Sequence, residues 1–70
     1  MMKVLIKDEE SRLYAGYQGG WTDCALEARD YCMSLHARSE ALKLNLKKFS
    51  VLFYFPDLDY KIVVCESSAG

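Results

Sequence analysis

FSVLFYFPDLDYKIVVC, residues 49–65, carries the clearest secondary-structure signal in the chain. β-branched and aromatic residues dominate residues 49–55, which predicts a strand because such side chains pack well on a pleated sheet. The segment Pro56–Asp59 has the composition of a turn, since proline presets the backbone angle needed at the second position of a type I turn. Residues 60–65 again favour a strand. This run therefore predicts an antiparallel hairpin.

A second hairpin is predicted in the first 17 residues. Residues 3–7 have the pattern of a strand, and the polar residues 8–11 are typical of a connecting loop. Residues 12–17 then form the predicted returning strand. Three glycines, at positions 16, 19 and 20, follow and indicate a loop.

A helix is predicted between the two hairpins, because residues 24–46 contain no proline or glycine and are mostly good helix formers. Thr22 or Asp23 would cap its first turn. At helical spacing the apolar residues form two stripes instead of one. The first comprises Cys24, Ala28, Tyr31, Cys32, Leu35, Leu42 and Leu46, and the second comprises Leu26, Met33, Ala37, Ala41 and Leu44. Either one long helix lies between two surfaces, or the helix breaks near residues 33–34 and both halves face one core.

Together these elements predict a single small α+β domain over residues 1–70, with residues 67–70 as a frayed tail. The expected architecture is β-hairpin–helix–β-hairpin: an antiparallel four-stranded sheet with one long or broken helix packed on one face. A chain of this length builds only a small core of its own.

The second face of such a sheet would remain uncovered, because a single helix covers only one face. That face would carry Leu5, Tyr14, Leu52, Tyr54 and Val63, which are too apolar to leave in water without consequence. We therefore expect these five residues to form an interface, with a homodimer or another protein as the partner. The alternative interface is the second helical stripe, around Leu26, Met33, Ala37, Ala41 and Leu44. Closed twofold dimers are the commonest way to cover such a patch.

Charge and composition limit the other partners. The net charge of −1 disfavours a nucleic-acid partner, although Lys43, Lys47 and Lys48 with Lys3, Lys7 or Lys61 would form a local basic patch if they clustered. No apolar run is long enough to cross a membrane, and residues 1–7 lack the apolar core of a signal peptide. The three cysteines are an odd number, which favours reduced thiols and a cytoplasmic location.

No catalytic, cofactor-binding or metal-binding site is predicted, and we expect no enzymatic activity. Cys32 and His36 lie four residues apart, but the tight cysteine pair typical of structural zinc sites is missing. A cysteine–histidine nucleophile would also need an orienting third group, which the sequence does not supply. The glycine-rich run ending at Asp23 lacks the spacing and lysine of a phosphate-binding loop. Trp21 is expected to anchor the end of the core.

Thirteen residues carry a resemblance: Tyr14-Ala15-Gly16, Trp21-Thr22, Ala28, Tyr31, Ala37, Ala41, Leu44, Leu46 and Phe55-Pro56. In these positions the chain resembles a loose class of uncharacterised bacterial and phage proteins of similar length. That class implies a tyrosine-bearing hairpin, a Trp-Thr step, a helix that breaks after Tyr31 and an aromatic strand ending near proline. It implies no function.

The run Tyr54-Phe55-Pro56-Asp57-Leu58 is similar to the YFPDL run of HicB-type antitoxins, where it precedes the helix; here it follows the predicted helix. The sequence as a whole favours a non-enzymatic protein-interaction or self-association module. The alternative is an antitoxin-like or regulatory module associated with nucleic acid, directly or through a partner.

Overall fold

A computed structural model describes residues 1–68 of the chain. Its strands are β1 (Lys3–Asp8), β2 (Leu13–Ala15), β3 (Trp21–Thr22), β4 (Lys48–Phe55) and β5 (Tyr60–Ser68); its α-helix is α1 (Ser34–Lys43), and short 3-10 turns lie at Tyr17–Gly19, Ala25–Glu27 and Pro56–Leu58. The strands form one antiparallel sheet in the order β3-β2-β1-β4-β5. The α+β class is therefore confirmed, but the sheet has five strands instead of four.

Both predicted hairpins are present. In the β1–β2 turn, the Asp8 carboxylate accepts hydrogen bonds from the Glu10 N–H and the Ser11 hydroxyl, each at 3.0 Å. In the β4–β5 turn, Asp59 takes the left-handed conformation with φ of 47°. The predicted frayed tail begins too early, because strand β5 continues through Ser67 and Ser68; Ala69 and Gly70 lie outside the described residues.

The additional strand, β3, returns along β2 after the glycine loop. The Gly16 N–H donates to the Gly20 carbonyl at 2.7 Å, which closes that loop. Thr22 does not cap a helix: its hydroxyl accepts the Cys24 N–H at 3.0 Å and holds a turn. A two-residue strand has no measurable sequence period, so the pattern of apolar residues did not reveal it.

The long helix predicted over residues 24–46 is wrong, because α1 occupies only the second half of that range. Cys32 has a left-handed backbone with φ of 70°, which a helix does not accommodate. The Asp30 carboxylate fixes this break, since one of its oxygens accepts both the Cys32 N–H at 2.9 Å and the Val4 N–H at 3.0 Å. The chain does break near residues 33–34, but the residues before the break do not pack on the same face as α1.

Residues 23–33, which we call the crossing segment, pass from one face of the sheet to the other. The Arg29 N–H donates to the Ala15 carbonyl, and the Tyr31 N–H donates to the Val4 carbonyl, both at 2.9 Å. The backbone of residues 29–31 therefore lies between the end of β2 and the beginning of β1. Before this point Ala28 is buried on one face, and after it Tyr31 is buried on the other.

Each face of the sheet consequently has its own small core. The face covered by α1, here the helix face, contains Val4, Ile6, Ala15, Tyr31, Ala37, Ala41, Phe49 and Val51. The opposite face, here the crossing face, contains Leu5, Tyr14, Ala28, Leu52 and Tyr54. Both cores are centred on β1 and β4, the two strands in the middle of the sheet.

The helix packs on the sheet through the second of its two apolar stripes. Ala37 and Ala41 are fully buried, whereas Leu35 and Leu42 of the first stripe are exposed. Alanine at the contact lets the helix backbone approach the sheet closely. Within residues 1–68, no helix has the length and apolar character needed to span a bilayer.

Candidate functional site

The five residues predicted to form an open apolar face do not form one. Leu5, Tyr14, Leu52 and Tyr54 are buried inside the chain. The crossing segment covers them, with Ala28 packed into their cluster and Ala25 against it. The prediction of an open face failed because residues 24–31 were assigned to a helix on the other side. Only Val63, which is 49% exposed, remains accessible for an interface.

An accessible apolar surface lies on β5. This strand pairs with β4 on one side and forms one edge of the sheet as the structure describes it. Ile62, Val63 and Val64 are 40%, 49% and 40% exposed, and Tyr60 is also exposed. A long apolar edge strand presents unpaired backbone groups together with apolar side chains, which favours pairing with another chain.

A β-bulge in β5 changes which side chains share a face. Val51 pairs with Cys65 and Leu52 pairs with Val63, so Val64 is an extra residue with no partner in β4. The bulge turns Cys65 to the helix face, where it packs against that core. Strict alternation from Lys61 and Val63 would place Cys65 on the crossing face. Such a bulge perturbs an edge without covering it.

Opposite charges flank the apolar centre of β5. Lys61 pairs with Tyr54, and its ammonium lies 5.4 Å from the centre of the Tyr54 ring. Glu66 pairs with Ser50 and lines an open groove of about 640 Å³ together with Val63 and Lys48. Tyr54 and Ser50 lie four residues apart on β4 and share a face, so Lys61 and Glu66 both lie on the crossing face.

The buried polar side chain at the floor of this groove is hydrogen-bonded within the protein. Ser50 is buried, and its hydroxyl donates a short hydrogen bond to the Glu9 carboxylate. No buried side-chain nitrogen or oxygen among the described residues is left without a hydrogen-bond partner. Among the described residues the groove therefore has no buried polar side-chain atom without a partner, and it forms part of the surface beside β5.

A second, smaller cleft of about 120 Å³ lies beside Tyr31 and is bordered by Trp21, Arg29, Glu40 and Lys43. Burial raises the pKa of Tyr31; the Arg29 guanidinium, 4.7 Å from the ring centre, lowers it, and the Glu40 carboxylate adds to the increase. Lys43 is paired with Glu40 at 3.2 Å. The cleft is smaller than the roughly 300 Å³ of a typical ligand pocket. Trp21 is 40% exposed at its rim, so it does not anchor the core as expected.

The cysteines and the histidine are dispersed. All three cysteines are free, with Cys32 exposed and Cys24 and Cys65 half-buried. His36 places Nδ1 3.2 Å from the Tyr31 carbonyl oxygen. Residues 1–68 contain no group of three or more histidine, cysteine, aspartate or glutamate side chains arranged to hold a metal ion.

The lysines that would form a basic patch also have neighbours of their own. The Lys3 ammonium donates to the carbonyls of Leu26 at 2.8 Å and Ala25 at 3.3 Å, which ties it to the crossing segment. The Lys7 ammonium lies over the Tyr14 ring at 5.9 Å. These contacts hold both lysines against the protein surface.

Comparison with protein-family models, with curated proteins and with solved structures found no match to this chain.

Proposed function

We propose that this protein is a non-enzymatic interaction module that self-associates through β5. The observation that carries this proposal is the combination of an unpaired edge with three consecutive exposed aliphatic residues, at positions 62–64. The remaining strands with long apolar runs, β1 and β4, are covered on both faces and paired on both edges. Among the strands of the sheet, exposed aliphatic residues are therefore concentrated on β5.

Strand addition is an established mode of protein recognition: backbone hydrogen bonds supply affinity, and alternating side chains supply specificity. Burial of apolar area adds about 25 cal/mol per Å². For a 70-residue chain, whose own core contributes only a few kcal/mol, this additional burial is a substantial gain. A cytoplasmic setting suits the proposal, since the three free thiols would remain reduced there.

A nucleic-acid-associated role has less support. Lys3 is bonded to main-chain carbonyls, Lys43 is paired with Glu40, and Lys48 lines a groove that also contains Glu9 and Glu66. Phosphate binding relies on clustered, uncompensated cations. The YFPDL run also lies in the β4–β5 hairpin, after α1, and so lacks the following helix that it has in HicB-type antitoxins.

Sedimentation equilibrium over micromolar concentrations tests the proposal. We expect the wild type to associate and the double variant Val63→Lys/Val64→Lys to be monomeric, because two ammonium groups would have to be buried at the edge. Leu35→Lys is the matched control, since Leu35 is also exposed (74%) but lies on α1. A monomeric wild type, or association that survives the double variant, would contradict the proposal.

A further inference from the structure

We propose that the partner of β5 is β5 of a second copy, in an antiparallel twofold register that places Lys61 of each copy opposite Glu66 of the other. This inference rests on the proposed function and specifies its geometry. The observation behind it is the position of the two opposite charges at either end of the exposed apolar residues, on the same face of the sheet.

The bulge makes this register available. In a regular strand, residues five apart point to opposite faces, so the side chains at positions 61 and 66 would not meet across a continuous sheet. The extra residue Val64 restores both to the crossing face. Two antiparallel copies then match faces along the strand: Tyr60 opposes Ser67, Lys61 opposes Glu66, and Ile62 opposes Cys65.

The positions of the two charges favour this register over the one in which the copies are shifted by two residues. Sliding one copy by two residues also matches faces, but it places Lys61 opposite Ser68 and Glu66 opposite Val63. In the proposed register the twofold axis generates the Lys61–Glu66 pair twice, because an isologous contact repeats each interaction. Directly opposed unlike charges stabilise strand pairs, and like charges destabilise them.

Lys61 contacts the Tyr54 ring, but neither Lys61 nor Glu66 has an oppositely charged partner in the described part of the chain. Neither Lys61 nor Glu66 takes part in either of the ion pairs found there, which are Met1–Asp57 and Lys43–Glu40. Both side chains are exposed, so substitutions at these positions remove no buried side chain. The apolar residues between the two charges, Ile62 to Val64, would form the dry centre of the new strand pair.

Charge reversal tests the register. In Lys61→Glu, a glutamate at position 61 faces Glu66 of the other copy, and in Glu66→Lys a lysine at position 66 faces Lys61. We expect each variant alone to dimerise roughly tenfold more weakly than the wild type. An equimolar mixture of the two restores both unlike pairs, so native mass spectrometry should show mainly the mixed dimer, with wild-type affinity in sedimentation.

A disulfide provides a second test that does not depend on charge. Opposed residues in antiparallel strands have Cα atoms about 4.5–5.5 Å apart, within the roughly 4.4–6.8 Å range of disulfides. In a Cys24→Ser/Cys32→Ser background, Ile62→Cys should form a covalent dimer with Cys65 of the other copy under oxidised glutathione. Val63→Cys, which points to the other face, is the control and should not.

Failure of this inference is distinguishable from failure of the proposed function. If the mixture shows no preference for the mixed dimer and Ile62→Cys does not cross-link, while Val63→Lys/Val64→Lys still abolishes association, the register is wrong and β5 remains the interface. If the wild type is monomeric, both are wrong. A mixed dimer together with a position-specific cross-link supports the register.

Discussion

Val4-Leu5-Ile6 in β1 and Ile62-Val63-Val64 in β5 are almost equally apolar, yet the structure treats them in opposite ways. The first three residues are fully buried, and the last three are between 40% and 49% exposed. The difference lies in what surrounds each strand. β1 has strands on both sides, α1 over one face and the crossing segment over the other, whereas β5 has one neighbour. Hydrophobicity alone thus does not determine burial in this chain; position in the sheet does.

The crossing segment is the cause of this asymmetry. It covers the crossing face only over the middle of the sheet, where Ala28 contacts the cluster around Leu5. Ten helical residues cover the helix face over the same two strands. Residues 1–68 cover the centre of the sheet on both faces, whereas β4 is the one strand that they place beside β5.

The largest expected effect on stability comes from comparing the same substitution, valine to alanine, at a buried position and at an exposed one. Val4→Ala removes two methyl groups from a fully buried site and should lower the free energy of unfolding by about 2–3 kcal/mol. Val64→Ala removes the same groups from an exposed bulge and should cost less than about 1 kcal/mol. Urea denaturation at a concentration where the protein is monomeric measures both. Equal losses would show that β1 and β5 are equally packed.

An intermediate effect is expected at the residue that fixes the crossing segment. Asp30→Ala removes the acceptor of the Val4 and Cys32 N–H groups and should cost about 1–3 kcal/mol, because a buried donor loses its partner. Hydrogen exchange should accelerate at both amides while the β5 amides stay unchanged. Asp30→Asn keeps one side-chain oxygen and is the matched control, with a smaller loss. An unchanged exchange rate at Val4 would mean that this contact does not secure the crossing.

The sequence predicts the parts of this fold that have local signals. Both hairpins follow from alternation and from the turn residues around Asp8 and Pro56, and the alanines of α1 follow from helical spacing. The crossing segment has no such signal. Residues 24–33 have good helix propensity, and the helix is interrupted by long-range contacts of Asp30, Arg29 and Tyr31 with β1 and β2, which propensity does not include.

The absence of long-range contacts from sequence patterns also explains why most of the predicted interface residues are buried. Val63 was predicted from its apolar character, and it remains exposed because β5 is an edge strand. The other four residues were predicted on the same basis and are buried, because the chain itself covers them. The sequence did not predict that Lys61 and Glu66 share a face, because only the bulge at Val64 brings them to the same side of the sheet. A bulge within a run of β-branched residues does not change the apolar pattern, so the sequence gives no sign of it.

The smallest expected effect concerns the ionisation of Tyr31, which lies in the helix-face core. The pKa of Tyr31 is raised above the usual value of 10.0, chiefly by burial. A raised folded-state pKa means that the neutral phenol is favoured in the native protein. This contribution to stability is complete below the pKa of an unfolded tyrosine and is lost as the pH rises through the higher folded value.

We therefore expect Tyr31 to ionise above the usual tyrosine pKa of 10.0 when native protein is titrated and phenolate absorbance is followed. Tyr31→Phe should remove the most alkaline part of that titration. Titration of the unfolded protein in urea is the control, because unfolding removes the burial that raises the pKa of Tyr31. An ionisation step above the usual pKa that persists in Tyr31→Phe would show that Tyr31 does not ionise as a buried group. The crossing segment would then leave this end of the helix-face core open to water.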